Sequence, residues 1–228
     1  ITVNNGTVYA AGVQYTSNGE VATLWVNGTQ TTLSSTLNHS RLNAVAVKGN
    51  DVYVGGYDEL TSHTYVAKIW KNGTSEILTS GPTNGEVLSL CINSNDVFTL
   101  GYEIINSNTS EKKIYIWKNG VSFPFFGGSF FYSSSIRVIT NDIYVPGYQE
   151  TNNRYYAKYF KNGVEVSLPD EGLSAFAMDI GVKFNKTIVV GCLLNTNNNL
   201  RAAYWLDGNL IKLDSGFRSS LIKKIFVK

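Results

Sequence analysis

The chain has 228 residues with a formal net charge of +2, and 43% of them are hydrophobic while only 16% are charged. The sequence lacks an apolar run of about 18 residues, so no membrane span is predicted. It also lacks the clustered Lys and Arg of a phosphate-binding surface, so nucleic acid is not an expected partner. Cys91 and Cys192 lie at non-equivalent positions and are interpreted as free thiols, with a disulfide left open only if the fold brings them together.

In chain order, one motif occurs five times. An alternating run ends in a glycine, a polar loop follows, and a second alternating run leads through an aromatic residue to an Asn-Gly or Asp-Gly turn. The glycines are Gly12, Gly56, Gly101, Gly147 and Gly191. The aromatic residues are Trp25, Trp70, Trp117, Phe160 and Trp205, and the turns begin at Asn27, Asn72, Asn119, Asn162 and Asp207. Three landmarks in one order, at intervals of 43 to 47 residues, establish an internal repeat.

Each repeat is predicted to form four short antiparallel strands. In the second copy these are 44–47, 52–57, 65–71 and 75–78, with Asn72-Gly73 as a type I′ hairpin turn. Four strands in about 40–45 residues, repeated in tandem, are typical of a β-propeller blade, with a solenoid as the structural alternative. The sequence therefore predicts an all-β, five-bladed β-propeller as a single domain over 1–228. The repeats are approximately 1–41, 42–86, 87–132, 133–176 and 177–220, followed by a closing strand at 221–228.

Six segments fit the pattern of a first strand, although five blades need only five. Residues 225–227 and residues 1–3, at opposite ends of the chain, both align with 45–47. Because a propeller ring can close by pairing of the chain ends, we expect 221–227 to be the innermost strand of the blade that contains 8–33. In the alternative, residues 1–3 take this position and leave the last segment outside.

The repeated aromatic residues are interpreted as packing between blades rather than as a ligand platform, since Phe160 keeps the bulk of Trp without its N–H group. Small residues prevail in the innermost strands, and two charged residues, Arg137 and Asp179, break this pattern. These two are predicted to form a buried or channel-lining ion pair, or else to contact an ion or small ligand. Lys224 aligns with Asp179 and could join either arrangement.

The loops after the second strands and the loops between repeats are long and variable, and an antiparallel blade places both sets on one face. Because binding residues often lie on variable loops held by a rigid scaffold, this long-loop face is the predicted binding surface. Its most apolar part, 125–132, is expected either to form an exposed contact site or to fold over the channel mouth. The candidate ligand-binding residues are Arg137, Asp179, Phe130, Phe131, Tyr132, Phe176, Phe217 and Arg218.

The sequence offers little for catalysis. It contains no Gly-x-Ser-x-Gly elbow, no His-x-x-x-His pair and no phosphate-binding loop, so no catalytic residue, metal or cofactor is predicted. The predicted function is a non-enzymatic extracellular binding module with a protein or glycan ligand. The first alternative is a multivalent glycan-binding lectin, and the second is a glycan-cleaving enzyme that would use Asp179 as one of two carboxylates.

Residues 50–57, NDVYVGGY, and 67–73, AKIWKNG, resemble a family of bacterial secreted or lipoprotein propeller-like repeat proteins. The resemblance covers the whole chain and is weakest in the fifth copy, where Gly191-Cys192 replaces Gly-Tyr. It implies a secreted or cell-surface location in a bacterial cell envelope, with a lipid anchor or linker upstream of residue 1. It carries no catalytic residue to this chain.

Overall fold

The computed structural model describes residues 1–17, 19–34, 39–61, 63–79, 84–108, 111–123, 125, 131–213 and 219–227. These residues form β-strands, turns and extended segments, as the sequence predicts for an all-β chain. Within the described ranges, no helix is long and apolar enough to cross a membrane. The contacts divide the chain into two compact units, residues 1–125 (unit 1) and residues 126–228 (unit 2).

Unit 1 contains three antiparallel four-stranded sheets whose strands follow chain order. Sheet 1 consists of β1 (Thr2–Asn4), β2 (Thr7–Thr16), β3 (Gly19–Val26) and β4 (Thr29–Thr32). Sheet 2 consists of β5 (Ser40–Lys48), β6 (Asp51–Thr61), β7 (Thr64–Lys71) and β8 (Thr74–Ile77). Sheet 3 consists of β9 (Gly85–Asn93), β10 (Asp96–Asn106), β11 (Glu111–Lys118) and β12 (Val121–Phe123). In each sheet, tight two-residue turns lie at one end, before the second strand and after the third. At the other end, the second and third strands are joined by two residues in sheets 1, 2 and 4 and by four or five residues in sheets 3 and 5, so the long loops predicted after the second strands are wrong for three repeats. The longer connections at this end join consecutive sheets.

Unit 2 contains two further sheets of the same kind. Sheet 4 consists of β13 (Phe131–Tyr132), β14 (Arg137–Ile139), β15 (Asp142–Thr151), β16 (Arg154–Lys161) and β17 (Val164–Ser167). Sheet 5 consists of β18 (Ser174–Lys183), β19 (Lys186–Leu194), β20 (Leu200–Leu206) and β21 (Asn209–Lys212). Both β13 and β14 pair with β15, so they are one first strand interrupted at 133–136. The interruption lies beside Pro146 of β15, which has no amide hydrogen to give to the ladder.

The first strand of sheet 1 comes from the N-terminal end of the chain. Thr2 pairs with Tyr9 and Asn4 with Thr7. The expectation that 221–227 forms this strand is therefore wrong, and the alternative of residues 1–3 is the one found. Residues 219–227 form no strand and lie against sheet 5, where the Ser220 N–H donates to the Leu200 carbonyl at 2.9 Å. Residues 1–3 and 221–227 cannot both be the first strand beside β2. The segment that directly precedes β2 in the chain is the one that pairs with it.

The repeated Asn-Gly turn has the geometry that the sequence predicts. Asn72 and Gly73 both have positive φ angles, 51° and 86°, as a type I′ turn requires. The Asn72 side chain accepts a hydrogen bond from the Val52 N–H at 2.8 Å, and Lys71 forms an ion pair with Asp51 at 2.9 Å. The repeated Asn-Asp and Lys-Asn-Gly segments thus bind one another, which accounts for their recurrence.

The repeated glycine of the second to fifth copies faces the backbone of the first strand. A Cβ atom added to Gly56 would lie 1.8 Å from the Arg41 carbonyl oxygen, and one added to Gly191 would lie 1.9 Å from that of Phe176. The first strand is bulged next to this contact, with the register shifting between Leu42 and Ala44 in sheet 2. Only a residue without a side chain allows such close approach, as the sequence predicts.

The repeated tryptophans pack between neighbouring sheets of one unit, as interpreted from the sequence. Trp70, Trp117 and Trp205 are buried, and each indole N–H donates to a carbonyl just beyond the last strand of the preceding sheet. The acceptors are Leu33 at 3.1 Å, Leu78 at 3.1 Å and Pro169 at 2.8 Å, respectively. Each tryptophan therefore joins two consecutive repeats by packing and by a hydrogen bond. Cys91 and Cys192 are not joined to each other by a disulfide; Cys192 is buried and Cys91 is half-buried.

Candidate functional site

A cavity of about 380 Å³ lies between sheets 2 and 3 at the long-loop end of unit 1. It is lined by Arg41, Tyr57, Tyr65, Asn84, Gly85, Glu86, Tyr102 and Ile104. The repeat explains how these side chains meet. In sheet 2, Arg41 of β5 pairs across from Tyr57 of β6, and in sheet 3, Glu86 of β9 pairs in the same way with Tyr102 of β10. Equivalent positions of two repeats therefore supply a cation and an anion.

The side of the cavity formed by sheet 2 is organised by Glu20. This carboxylate forms an ion pair with Arg41 at 2.9 Å and accepts a hydrogen bond from the Tyr57 hydroxyl at 3.1 Å. The Nε atom of Arg41 is buried and has no hydrogen-bond partner among the described residues. Tyr57 also contacts Tyr65 edge to face, with ring centroids 5.4 Å apart.

The side formed by sheet 3 is organised by Glu86. Its carboxylate accepts hydrogen bonds from the Tyr102 hydroxyl at 2.8 Å and from the Asn43 amide at 2.7 Å. The Lys112 ammonium lies 4.0 Å from the centroid of the Tyr102 ring. Such contacts between a cation and an aromatic face are attractive. The tyrosine is thus fixed through both its hydroxyl and its ring.

Tyr57 and Tyr102, two of the three cavity tyrosines, remain protonated donors at neutral pH. Burial, together with the hydrogen bond to Glu20, raises the pKa of Tyr57 to about 12. Burial and the charge of Glu86 raise the pKa of Tyr102 still further above its ordinary value. Because both hydroxyls donate to carboxylates, the cavity offers guanidinium donors, carboxylate and phenol oxygens as acceptors, and tyrosine ring faces.

A second cavity of about 290 Å³ lies between sheets 2 and 3 at the tight-turn end. Its lining includes Tyr53, Lys71 and Asn119, which belong to the repeated turn. Lys71 and Asn119 are already bound to aspartates of their own repeats. The long-loop cavity is the better candidate site, because its lining residues differ between repeats.

In unit 2 the corresponding positions hold aromatic side chains that pack against one another. Tyr132 pairs with Tyr148 in register, as Arg41 does with Tyr57, and Phe176 takes the place of Glu86 in the next sheet. Tyr132 stacks on Tyr148 with centroids 5.4 Å apart, and Phe176 lies 4.9 Å from both Tyr148 and Tyr155. Two predicted ligand residues, Tyr132 and Phe176, therefore belong to an aromatic cluster within unit 2.

Arg137 and Asp179 form the ion pair that the sequence predicts. Asp179 is fully buried, and its carboxylate accepts hydrogen bonds from Arg137 Nη2 at 2.9 Å, from the Ser135 hydroxyl at 2.5 Å and from the Ile225 N–H at 3.1 Å. Burial by itself raises the pKa of Asp179, but the hydrogen bonds from Arg137 and Ser135 outweigh it and hold the pKa below its ordinary value. The charge of Lys224 acts in the same direction.

The other predicted residues lie elsewhere. Phe131 is buried and contacts Phe160 edge to face at 5.0 Å, so it is a core residue. Phe130, Phe217 and Arg218 lie outside the described residues. The sequence does not single out Arg41, Glu86 or the cavity tyrosines, because Gly-Tyr recurs in the second, third and fourth copies and such recurrence is typical of a structural motif. The signal was the residue opposite each tyrosine, which changes from Arg41 to Glu86 between repeats.

Within the described ranges, no group of three or more His, Cys, Asp or Glu side chains could hold a metal ion. In comparisons with known proteins, no family profile matches the chain, and no curated protein matches it significantly.

Proposed function

We propose that the chain is a non-enzymatic binding module whose ligand occupies the long-loop cavity of unit 1. The observation that carries the proposal is the lining of this cavity, in which Arg41 and Glu86 occupy equivalent positions of consecutive repeats with opposite charge. Ligand sites commonly combine aromatic surface with a few polar groups held in place by their neighbours. Glu20 holds Arg41 and Tyr57 in this way, and Asn43 holds Glu86.

Of the two ligand classes expected from the sequence, protein and glycan, the cavity favours a glycan. Its volume of about 380 Å³ lies within the range of about 300–1,000 Å³ that is typical of small-molecule sites. Sugar hydroxyl groups can donate to Glu86 or to a tyrosine oxygen, and they can accept from Arg41. The apolar face of a sugar ring can lie on a tyrosine ring.

The five sheets are proposed to be the blades of one five-bladed β-propeller. The support is their uniform strand order and the indole hydrogen bonds that join consecutive sheets within each unit. In such a ring β1 supplies the innermost strand of the first blade. An experimental structure with an open stack of sheets would contradict this architecture.

An extracellular location, on a bacterial cell surface or secreted, is proposed from the resemblance of the repeats and from the low charge of the chain. A lipid anchor or linker upstream of residue 1 belongs to the same proposal. Fractionation of cells that express the natural protein tests it, and recovery of the protein from the cytoplasm alone would contradict it.

Two observations weigh against the alternatives to a single binding site. A multivalent lectin needs an equivalent niche between successive blades, but the corresponding positions in unit 2 carry an aromatic cluster instead of the charged pair, formed by Tyr132, Tyr148, Tyr155 and Phe176. A glycan-cleaving enzyme would use Asp179, whose carboxylate already accepts hydrogen bonds from Arg137, Ser135 and Ile225.

A glycan array with the intact chain tests the function, and two variants test the site. Arg41→Ala is expected to lower the affinity for a glycan hit by about tenfold or more, because one charged hydrogen bond contributes about 1.5–3 kcal/mol. The matched control is Lys183→Ala, at the end of β18 in unit 2, which should bind as the unchanged chain does. Absence of any glycan signal would contradict the glycan ligand. Equal binding by Arg41→Ala and the unchanged chain would contradict the site.

A further inference from the structure

The cluster of Ser135, Arg137 and Asp179 contacts the main chain of a segment far away in the sequence. Asp179 Oδ2 accepts a hydrogen bond from the Ile225 N–H at 3.1 Å, and Arg137 Nη2 lies 3.4 Å from the Ile225 carbonyl oxygen. Both polar backbone groups of one residue are therefore engaged by side chains. The neighbouring strand of a sheet engages a residue in a similar way, through its N–H and C=O groups.

The contacts within the cluster do not depend on the C-terminal segment. Ser135 and Arg137 hold the Asp179 carboxylate at 2.5 Å and 2.9 Å without any contribution from the C-terminal segment. The side chain of Asp179 is fully buried, whereas that of Arg137 is 39% exposed. A buried carboxylate oxygen that lacks a hydrogen-bond donor costs free energy, because the group has lost its contact with water. Asp179 Oδ2 therefore favours a state in which an amide N–H donates to it.

A second contact fixes where the segment lies. Gly181, two residues after Asp179 on β18, faces Val227, and a Cβ atom added to Gly181 would lie 2.4 Å from Val227 Cγ2. At the other end of the segment, the Ser220 hydroxyl accepts a hydrogen bond from the Ala202 N–H at 3.0 Å. The segment 219–227 is thus held near its start and near Ile225.

Residues 219–227 resemble the first strand of a repeat, but no second strand follows them to pair with. In sheet 2, Ser40 accepts a hydrogen bond from the Ala22 N–H at 3.0 Å, just as Ser220 does from Ala202, and β5 then pairs with β6 along its length. Residues 219–227 form no strand. Among the described residues, their backbone–backbone hydrogen bonds are those of Ser220 to Leu200 and of Ile222 to Gly191, the latter long at 3.4 Å. The side-chain cluster replaces the missing ladder at Ile225.

We propose that Ser135, Arg137, Asp179 and Gly181 form a recognition site for an extended peptide backbone, and that residues 219–227 occupy it as an exchangeable ligand. The ligand class is an extended peptide that places an amide N–H and C=O pair on Asp179 and Arg137 and a branched apolar side chain on Gly181. A segment held by so few backbone hydrogen bonds opens locally far more easily than a strand in a full ladder. Once it opens, the same peptide from another molecule can bind to the site.

Hydrogen exchange of the full chain tests the docked state. Asp179→Asn keeps the size of the side chain but removes the charge that receives the Ile225 N–H, and we expect amides in 221–227 to exchange about tenfold faster or more while β18 to β21 keep their protection. Glu171→Gln, which removes an exposed ion pair with Lys212 in the same unit, is the matched control. Unchanged exchange in 221–227, or an equal increase across all of sheet 5, would overturn the proposal.

A second experiment tests recognition between molecules. Ile225→Pro removes the donated N–H and leaves the cluster intact, so the full-length variant should expose an empty site. A labelled synthetic peptide with the sequence of 219–228 is expected to bind this variant and to bind at least about tenfold more weakly when Asp179→Asn is added. Lys223→Pro, at an exposed position of the same segment, should leave the segment docked and bind less peptide. Failure of Ile225→Pro to bind the peptide, or equal binding with and without Asp179→Asn, would overturn the proposal.

Discussion

Units 1 and 2 are built from the same repeat but use its variable positions in opposite ways. Opposite the Gly-Tyr tyrosines, unit 1 places Arg41 and Glu86, which bind neighbouring polar groups and leave a cavity of about 380 Å³. At the corresponding positions unit 2 places Tyr132 and Phe176, which pack with Tyr148. A charged side chain is stabilised by hydrogen bonds and ion pairs with polar groups, whereas an aromatic side chain is stabilised by packing against other apolar surfaces. The residue at one position per repeat therefore decides between a polar cavity and an aromatic cluster.

In the innermost strands it is unit 2, not unit 1, that carries the charged residues. In unit 1 the positions equivalent to Asp179 and Arg137 hold small, uncharged residues such as Ala44 and Ala46. In unit 2 the charged pair binds the C-terminal segment through Ile225. The polar cavity of unit 1 thus lies at the long-loop end, whereas the Arg137–Asp179 pair of unit 2 lies along the first strands. The repeated scaffold is shared, while the polar sites are specific to each unit.

The largest expected effect tests the shared scaffold. Gly56→Ala in unit 1 and Gly191→Ala in unit 2 should each lower the free energy of unfolding by about 3 kcal/mol or more, since the new Cβ would meet a backbone carbonyl that cannot move alone. Urea unfolding measures the loss. Gly12→Ala is the matched control, because its Cβ would meet only the Trp25 ring, at 3.3 Å, and should lose less than about 1 kcal/mol. Equal losses at all three glycines would contradict the role given to the first strand.

The next prediction tests the difference between the aromatic cluster of unit 2 and the cavity of unit 1. Tyr148→Ala should destabilise the chain by about 2–3 kcal/mol, because it removes a ring that contacts three others. Tyr57→Ala, the equivalent change beside the cavity, should cost only about 1 kcal/mol, since the ring already borders open space. Thermal unfolding of the two variants side by side measures this contrast. Equal losses would mean that the cavity is packed as tightly as the cluster.

A smaller effect is expected for the contact that joins consecutive repeats. Trp70→Phe and Trp205→Phe each keep an aromatic ring but leave a carbonyl without its indole donor, which should cost about 1–2 kcal/mol. Trp25→Phe, at a half-buried position in sheet 1, should cost less. The fourth repeat already carries Phe160, buried against Phe131, so the fold accepts the smaller ring there. Urea unfolding with no loss in either variant would show that packing alone joins the sheets.

The smallest effect concerns titration of the tyrosines. The pKa of Tyr57, about 12, is raised by burial and then by its hydrogen bond to Glu20, which favours the protonated phenol. Glu20→Gln removes the negative charge, so the pKa of Tyr57 should fall and its phenolate should form at lower pH. Burial and neighbouring tyrosines raise the pKa of Tyr148, which should not respond. NMR of ¹³C-labelled tyrosine against pH measures both, and a matching shift at Tyr148 would contradict the separation of the two environments.

Much of the fold could be predicted because it is encoded locally and repeated. The type I′ turn at Asn72-Gly73 depends on two adjacent residues, and the alternation in β6 and β7 depends on a period of two. The ion pair between Arg137 and Asp179 was also predictable, since charge in a strand of small residues needs a partner. Which chain end pairs with β2 was not predictable, since 1–3 and 225–227 carry the same pattern.

The sequence by itself determined the repeat, its four strands, its turns and the aromatic residues that pack between sheets. These features depend on neighbouring residues or on a spacing that recurs five times. Only the tertiary structure decided that Arg41 and Glu86 line one cavity, while Tyr132 and Phe176 belong to an aromatic cluster at the equivalent positions. It also decided that Asp179 accepts a hydrogen bond from the N–H of Ile225. These groups lie more than 40 residues apart in the chain, and their contact depends on how whole sheets pack within a unit.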